Sequence, residues 1–569
     1  MPGFVCIISD QELNTDNLDI KIPTLAGILN EKRSFVKGWV KWYAVSKFMD
    51  DKVFAEDVDR FICMDGVILN SRQLRNEYAA KDSFDLYARM FAKCGAGFVR
   101  EFRGDFVGIV HDKRGDAWHA FTNHIGSKPI FYFFDEVKRT LIVGTELKMV
   151  VAGMRQMGYS PEIDAAGASC LLAMGWMLED YTLIKTVKRL PAGAILTYKE
   201  GKIEIERYYR LATSPIIEDD EEQILAELDF RFGEAVRAEY EKDIEYGFRH
   251  IATLSGGMDS RISLHYARKL GYRDILCIAF SQNDAPDERI SRRLASDWKC
   301  EYLFLSLDNG TYLQDIDSPV IANDGLILYS GSAHALRIER LINWQEFGLF
   351  HHGQLGEILG DYKETKDTPV VKGAQFLDIR KSFFTILDPV RERYDSDYLF
   401  TFYNRGINGM LNGAITVSNF TDAVSPFSYL EFVEYVSRIP ESLCRHRRLY
   451  KNWMRRYAGE AANYPWERTG LPVTAGEYQD VLFIYLRAIK RRLLGSRSKV
   501  STNPFEYWYR TNPELRNALQ DYYIKGLPLL DCHPDIKRDV QLLFETGNVE
   551  NKTQALTLLA AVKVHQLVG

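Results

Sequence analysis

Leu254-Ser255-Gly256-Gly257-Met258-Asp259-Ser260 connects a short apolar run, 251–254, to a segment with helical periodicity, 261–270. Two adjacent glycines permit a tight turn that brings backbone N–H groups close to an anion, and the serine hydroxyls add donors. The N-terminus of the following helix supplies the positive end of its dipole. A Gly-Gly pair alone is usually a turn, but the strand before it and the helix after it favour a phosphate-binding loop.

The same segment excludes one kind of phosphate site and favours a metal. It lacks the GxxxxGK[ST] pattern, so it is not a Walker loop. Asp259 lies inside the loop, and a carboxylate in this position suits a Mg²⁺ ion that neutralises phosphate charge.

Strands alternate with helices around this loop. An apolar run at 275–280 follows the first helix, a helical pattern covers 290–298, and a third apolar run covers 302–307. This alternation predicts a parallel sheet with crossover helices. From about residue 376 the pattern is mostly helical, which is typical of a region that covers the sheet or lines a substrate cleft.

The first 210 residues have a different pattern. Short β-like runs at 61–69, 106–111, 129–134 and 140–144 predict stacked antiparallel sheets. A turn cluster and an acidic run at 211–222 then precede a periodic helix at 224–240, which marks a domain boundary. We therefore expect three units: 1–210, 220–475 and a helical extension at 476–569.

Composition limits the class of protein. At about 150 residues per domain, 569 residues allow three to four domains or two large ones. With 72 basic and 78 acidic residues the net charge is −6, so global electrostatics give no case for nucleic acid or an anionic membrane. The eight cysteines form no CxxC pair, and the longest apolar stretch, 165–178, is too short to cross a bilayer. The start of the chain does not have the pattern of a secretory signal. We expect a cytoplasmic protein with no nucleic acid or membrane partner, and an oligomer is possible.

The loop and its surroundings resemble a known family. Ser-Gly-Gly-x-Asp-Ser resembles the pyrophosphate loop of the ATP pyrophosphatase superfamily, and the order of the other segments is similar to that of the asparagine synthetase family. Those segments are 103–106, 123–132, 144–148, 190–193, 287–288, 353–357 and 426–432. The resemblance runs from residue 3 to about 475. It implies an α+β N-terminal domain, an Ntn-hydrolase-like αββα sandwich, followed by an α/β parallel-sheet ATP pyrophosphatase domain with a helical extension.

The family also implies a reaction and a set of site residues. The reaction is an amide-bond ligation in which ATP, with Mg²⁺, converts a carboxylate to an acyl-adenylate that an amine attacks. By resemblance, Asp259 and Glu357 hold Mg²⁺, and Gln354, Arg468 and Lys451 lie at catalytic positions. The residues that correspond to the ATP and pyrophosphate site are Leu254, Ser255, Gly256, Gly257, Asp259, Ser260, Phe280 and Gly353.

The glutaminase half departs from the family pattern. Pro2 stands where glutamine-using members have a cysteine nucleophile, and proline has neither a thiol nor a primary amine. Asp65 replaces the asparagine that binds the oxyanion, and Ser83 aligns with the aspartate that binds the amino group of glutamine. Cys6 is expected in a buried strand, as a core residue. We expect a folded but inactive glutaminase domain, as in the β-lactam synthetase and lasso-peptide cyclase branches.

The synthetase half departs as well. Gln354 lies where asparagine synthetase has a glutamate, and an amide cannot act as a base, so another group must deprotonate the amine. Arg468 replaces a lysine and supplies charge in a different geometry. The expected substrates are a carboxylate-bearing small molecule or peptide and an amine, which can belong to one molecule and close a lactam or macrolactam. The alternatives are amidation of aspartate with ammonia, or an ATP-binding member without catalysis.

Several other residues have both a structural and a functional interpretation. His351 and His352 are expected to be structural, Asp287 to belong to the site, and Glu288 to be a helix N-terminal charge. The basic run 445–451 matches a segment near the acyl-adenylate site but also fits a solvated helix face. The second basic run, 490–499, is more typical of a solvated face. Thiolation of tRNA by the same superfamily requires catalytic cysteines, which this sequence lacks.

Overall fold

The computed structural model describes residues 3–15, 18–23, 28–360, 377–475, 482–483, 485–486, 489 and 503–567. Two features of the sequence, Pro2 and the basic run 490–499, lie outside these residues.

Two six-stranded antiparallel sheets form the N-terminal unit, in the orders β10-β8-β9-β1-β3-β2 and β12-β11-β7-β6-β5-β4. The strands are β1 Gly3–Ser9, β2 Leu29–Phe35, β3 Gly38–Ala44, β4 Val53–Glu56, β5 Arg60–Ile68, β6 Gly104–Asp112, β7 Ala117–Thr122, β8 Phe131–Asp135, β9 Thr140–Gly144, β10 Val187–Arg189, β11 Ala194–Lys199 and β12 Lys202–Arg207. The helices are α1 Ser71–Glu77, α2 Ser83–Cys94, α3 Leu147–Gln156 and α4 Ala165–Met174.

Side-chain alternation builds four layers from these elements. Phe4, Cys6 and Ile8 of β1 share one core with Phe61 and Cys63 of β5, between the two sheets. The opposite face of β1 packs under α3 and α4, and the opposite face of β5 packs under α2. Strands that are apolar on both faces in this way lie inside a sandwich with helices on the outside. The expected antiparallel α+β architecture is confirmed.

The second unit contains a five-stranded parallel sheet in the order β15-β14-β13-β16-β17. Its strands are β13 Arg249–Thr253, β14 Ile275–Ser281, β15 Glu301–Ser306, β16 Phe347–His351 and β17 Ala423–Val424. The helices that alternate with them are α5 Glu221–Glu245, α6 Asp259–Lys269, α7 Pro286–Asp297, α8 Asp317–Asn323 and α9 Ala333–Glu339. Because β13 pairs with both β14 and β16, the loop after β13 leaves the middle of the carboxyl edge, where open α/β sheets bind ligands.

The rest of the described chain is helical. It comprises α10 Leu377–Arg391, α11 Asp397–Thr401, a π-helix Phe402–Met410, a 3₁₀ segment Leu411–Asn419, α12 Leu430–Ser437, α13 Glu441–Cys444, α14 Arg448–Tyr457, α15 Phe505–Thr511, α16 Pro513–Gly526, α17 Pro534–Thr546 and α18 Val549–Val564. Helices α15 to α18 share one core with α3 and α4 of the N-terminal unit. None of the described helices combines the length and apolarity that crossing a bilayer requires.

Candidate functional site

The glycine loop lies at the carboxyl end of β13, as its sequence predicts. Leu254 is buried below it, and its N–H donates to the carbonyl of Ile278. Helix α6 begins at Asp259 without a side-chain cap, so its first N–H groups face the loop. The Ser255 and Ser260 hydroxyls lie 2.9 Å apart across the turn. The loop therefore gathers hydroxyls and N–H donors on one side.

Side chains hold the loop N–H groups in this structure. The Ser255 N–H donates to Ser260 Oγ at 3.0 Å, and the Gly257 N–H donates to Ser255 Oγ at 3.1 Å. The Gly256 N–H donates to Asp287 Oδ1 at 2.9 Å. Asp287 thus belongs to the loop, whereas Glu288 accepts the Asp284 N–H at 2.6 Å in the first turn of α7, consistent with a helix N-terminal charge.

Close backbone contacts explain the glycines. A Cβ added at Gly256 would lie 2.9 Å from Glu467 Cβ, and a Cβ at Gly353 would lie 2.5 Å from the Ser260 nitrogen. A Cβ at Gly356 would overlap the Asp259 carboxylate. The segment 353–357 therefore packs directly on the start of α6.

Leu355 adopts a left-handed backbone within this segment, with φ +75°. Its side chain is fully buried. Glycine adopts such a backbone without strain, whereas leucine does not. Packing of the leucine side chain offsets a strain of about 1 to 3 kcal/mol at this position.

Carboxylates surround the start of α6. Burial and the nearby Glu357 raise the pKa of Asp259 to about 7, although Arg447 and a hydrogen bond from the Tyr450 hydroxyl oppose the rise. Burial and Asp287 raise the pKa of Glu467 to about 7. Acids that disfavour one another's charge form a site for a divalent cation, which prefers oxygen ligands. Asp259 and Glu357 fit Mg²⁺ on this ground.

Cations converge on one aromatic ring beside the carboxylates. Arg447, Lys451 and Arg468 place their charges 5.4, 5.9 and 5.6 Å from the centre of the Trp466 indole. Trp466 directly precedes Glu467, whose N–H donates to the Gly256 carbonyl at 3.2 Å. The structure thus brings two predicted catalytic cations, and Arg447 from the basic run 445–451, to the rim of the glycine loop.

A cavity of about 290 Å³ opens beside the loop. It is lined by Thr253, Ser255, Asp259, Ser260, Phe280, Gly331, His334, Ala335, Glu339, Phe350, His352, Gly353, Gln354, Glu357, Met410, Gly413 and Ala414. Leu254, Gly256, Gly257, Lys451 and Arg468 are not among these described lining residues. The Leu254 side chain packs into the core below the sheet edge, and its expected contact with the nucleotide stays a prediction.

Glu339 lines the cavity, although its sequence does not predict this. It ends α9, is 1% exposed, and burial raises its pKa to about 8. No motif marks it, since its environment comes from segments far away in sequence. Its only sequence signal is an acid at the end of an apolar helical face.

The adjacent histidines have separate roles. Both ring nitrogens of His351 contact acids, Asp243 at 2.8 Å and Glu239 at 3.4 Å, and these acids raise the pKa of His351 to about 9 against the effect of burial. Asp243 also contacts His250 at 2.8 Å, which closes a buried polar cluster. His352 instead lines the cavity, and burial lowers its pKa to about 3. His351 is therefore structural, as expected, and His352 is a neutral cavity residue.

An ion-pair chain occupies the region of the expected glutaminase site. Lys128 donates to Asp65 Oδ2 at 2.9 Å and to Asp422 Oδ1 at 2.7 Å, and Lys52 lies 3.0 Å from Asp422. These residues are largely buried, and Asp422 comes from the synthetase unit. Burial opposes the charge on Lys128, but the two acids outweigh it and raise its pKa. Asp65 is thus engaged in a charged contact between the two units.

Cys6 lies in β1, as expected, and is fully buried. Burial raises the pKa of its thiol well above the ordinary value, which disfavours a thiolate. Ser83 begins α2 and is also buried.

Comparison with known proteins adds to this geometry. A family model described as a glutamine amidotransferase domain matches residues 49–209. The chain is 25% identical over 224 residues to the putative asparagine synthetase [glutamine-hydrolyzing] 2 of Methanocaldococcus jannaschii, covering 37% of this chain and 42% of the relative. It is 24% identical over 226 residues to asparagine synthetase B [glutamine-hydrolyzing] of Escherichia coli, covering 38% and 33%. The matched region is less than half the length of either relative.

Two solved structures were also found. They are glutamine phosphoribosylpyrophosphate amidotransferase from B. subtilis (TM-score 0.24, 9% identity, 53% of this chain and 75% of that one) and NMN synthetase from Francisella tularensis (TM-score 0.18, 16% identity, 32% and 78%).

The N-terminal unit is a glutamine amidotransferase-type domain, and it is joined to a unit built on a parallel sheet. Over 37 to 38% of its length the chain is similar to asparagine synthetases.

Proposed function

We propose that this chain is an ATP-dependent, AMP-forming amide ligase with an ATP pyrophosphatase-type synthetase domain. The observation that carries the proposal is the arrangement at the carboxyl end of β13. There a Ser-Gly-Gly-x-Asp-Ser loop, an uncapped helix N-terminus and two carboxylates, Asp259 and Glu357, border one cavity. A carboxylate substrate attacks the α-phosphorus of ATP, pyrophosphate leaves, and an amine attacks the acyl-adenylate.

The loop residues have a defined task in this reaction. The N–H groups of Ser255, Gly256 and Gly257 exchange their present acceptors for pyrophosphate oxygens, with the Ser255 and Ser260 hydroxyls beside them. Preorganised donors of this kind contribute about 3 to 4 kcal/mol each where charge develops. Asp259 and Glu357 hold Mg²⁺, which when bound neutralises the charge that builds on the leaving group.

The cations at Trp466 act beside the loop. Lys451 and Arg468 are held against the indole face, where they supply positive charge next to Glu467 and the Gly256 carbonyl. Gln354 orients a substrate by hydrogen bonding, since its Oε1 is buried without a partner among the described residues. Phe280 gives an apolar wall for the adenine ring.

We further propose that the glutaminase domain is inactive and that the amine does not come from glutamine. The buried Asp65–Lys128 pair, the inert Cys6 thiol and the proline that precedes β1 support this. The substrates are a carboxylate-bearing small molecule or peptide and an amine, including the case in which one molecule carries both groups. None of the eight cysteines forms a disulfide, which fits a reducing compartment such as the cytoplasm.

A second candidate is amidation of aspartate with ammonia, favoured by the printed names of the relatives. A third is an ATP-binding protein without catalysis, for which Gln354 and Arg468 are the motivation. The product distinguishes the three candidates. Amidation of aspartate gives asparagine, the first candidate gives another amide, and a protein without catalysis gives none.

The test is exchange of labelled pyrophosphate into ATP, with Mg²⁺ and a panel of amino acids and peptides as carboxylates. We expect exchange with at least one carboxylate, AMP rather than ADP as product, and no stimulation by glutamine. Asp259→Asn should abolish the exchange, whereas Asp535→Asn, an exposed acid in α17, should not. ADP formation, or tight ATP binding with no exchange for any carboxylate, would contradict the proposal.

A further inference from the structure

One acid of the cavity lacks a complete set of partners. The Thr416 hydroxyl donates to Glu339 Oε1 at 3.0 Å, and the Trp344 indole N–H donates to the Glu339 carbonyl at 2.8 Å. The Thr416 bond holds the side chain, and the Trp344 bond holds the backbone at the end of α9. The second carboxylate oxygen, Oε2, is buried and has no hydrogen-bond partner among the described residues.

Neither protonation state of Glu339 is satisfied by the protein alone. If the group is ionised, the Thr416 hydrogen bond and the charge of Arg340 favour the anion, but burial outweighs them. If Oε2 is protonated, its O–H has no acceptor within the described residues, and if Oε1 is protonated, Oε2 remains an acceptor without a donor. A buried polar group left in this way costs about 1 to 3 kcal/mol, and more when charged. A ligand that carries an N–H donor would satisfy Oε2.

The surroundings of Glu339 restrict what that ligand is. Glu339 borders the same cavity as Ser255, Asp259 and Gln354. The cavity is also bordered by small and apolar residues, among them Ala335, Met410 and Gly413. The titratable groups His334 and His352 also line it, and burial lowers the pKa of each, to about 4 and about 3, so both are neutral. Such low pKa values make both histidines weak bases, so neither competes with Glu339 as the proton acceptor near neutral pH.

We propose that Glu339 is the catalytic base that binds the amine substrate and removes its proton. The proposal rests on the function proposed above. The amine nitrogen forms the new C–N bond to the carbonyl carbon, the bond from that carbon to the AMP oxygen breaks, and AMP leaves with the electron pair. The proton lost by nitrogen passes to Glu339 Oε2. The raised pKa of Glu339, about 8, suits a base that works near neutral pH.

With this assignment, the cavity has two regions with different functions. Asp259 and Glu357 serve the phosphates, and Glu339 serves the nucleophile. It also accounts for Gln354, because a base in the segment 353–357 is not required when α9 supplies one.

The experiment separates the two half-reactions of the full-length protein. The first is exchange of labelled pyrophosphate into ATP, which needs no amine. The second is amide formation from whichever carboxylate of the amino acid and peptide panel supports exchange, with methylamine as the amine probe. A parallel reaction uses hydroxylamine, whose nitrogen is largely unprotonated at neutral pH and does not need a base. The variants are Glu339→Gln, Thr416→Val and the control Glu392→Gln, an exposed glutamate just after α10.

We expect Glu339→Gln to keep pyrophosphate exchange within about twofold and to lose amide formation with methylamine by about 10²- to 10⁴-fold, the usual contribution of a general base. Hydroxamate formation should remain. Thr416→Val should lower the rate of amide formation with methylamine less than Glu339→Gln does. Glu392→Gln should change neither half-reaction.

Two results would overturn the assignment. Methylamine ligation at the wild-type rate in Glu339→Gln would show that the base lies elsewhere, and parallel loss of exchange and ligation in a folded variant would place Glu339 in nucleotide binding instead. A wild-type protein without exchange for any carboxylate refutes the proposed function itself, a result distinct from both.

Discussion

Replacing Lys128 by methionine tests whether the buried ion-pair chain joins the two units. Lys128 contacts Asp422 at 2.7 Å and Asp65 at 2.9 Å, and at an effective dielectric constant of about 20 each pair is worth about 6 kcal/mol before desolvation. Desolvation offsets much of that energy, but removing one partner leaves buried acids uncompensated and costs about 3 to 5 kcal/mol. Lys52 still neutralises part of the charge on Asp422, so Asp65 bears most of the loss.

The assay is thermal unfolding followed by tryptophan fluorescence. At about 2 to 4 °C per kcal/mol, Lys128→Met should lower the melting temperature by about 6 to 20 °C. Lys185→Met is the matched control, because Lys185 pairs with Glu162 at 2.9 Å on the surface and contributes at most about 1 kcal/mol. The double variant Lys128→Met, Asp65→Asn should recover part of the lost melting temperature. Equal shifts in the two single variants, or a double variant less stable than Lys128→Met, would refute the reasoning.

Three further predictions concern the synthetase unit. Trp466→Leu removes the surface that holds Arg468 and its neighbouring cations, and it should lower pyrophosphate exchange about tenfold, the equivalent of a cation–π loss of about 1 to 2 kcal/mol; an unchanged rate would exclude the role. The pKa of His351 is raised from 6.5 to about 9, so its protonated form contributes up to about 3 kcal/mol to the free energy of unfolding. This contribution is fully present below pH 6.5 and is lost as the pH rises through 9. His351→Gln should therefore flatten the decline in melting temperature between pH 7 and 9, and an unaltered slope would count against it. Leu355→Gly relieves backbone strain but removes a buried side chain worth about 2 to 5 kcal/mol, so a net loss of stability is expected in thermal unfolding, and a stabilised variant would reverse this view.

Much of the fold could be predicted from the sequence because its signals are local. The glycine loop and the helix after it occupy adjacent residues, and alternation of strands and helices identifies a parallel sheet. The position of the loop directly after β13 could therefore be predicted. The order of the strands in the sheet could not be predicted, because β16 and β17 begin at Phe347 and Ala423, 98 and 174 residues after β13 begins at Arg249.

The candidate site could be predicted only in part, for the same reason. Asp259 and the loop glycines carry a motif, but the motif does not show that Leu254 turns into the core. Glu339 has no motif, since its significance depends on contacts with Thr416 and Trp344 and on a cavity formed by five separate segments. The substitution at Asp65 could be read from the sequence, whereas its partner Asp422 lies in the other unit and becomes visible only in the folded chain.

The helix α18 has a consequence for the order in which the protein forms during synthesis. It is buried along most of its length and shares a core with α3 and α4. The ribosome makes α18 after every other described element, so the helices of the N-terminal unit leave the exit tunnel about 400 residues before their packing partner, the distance from Ala165 to Val549 being 384 residues. During that interval an apolar surface on α4 is open to solvent. A nascent chain of this protein therefore offers chaperones a binding surface that disappears once α18 has docked.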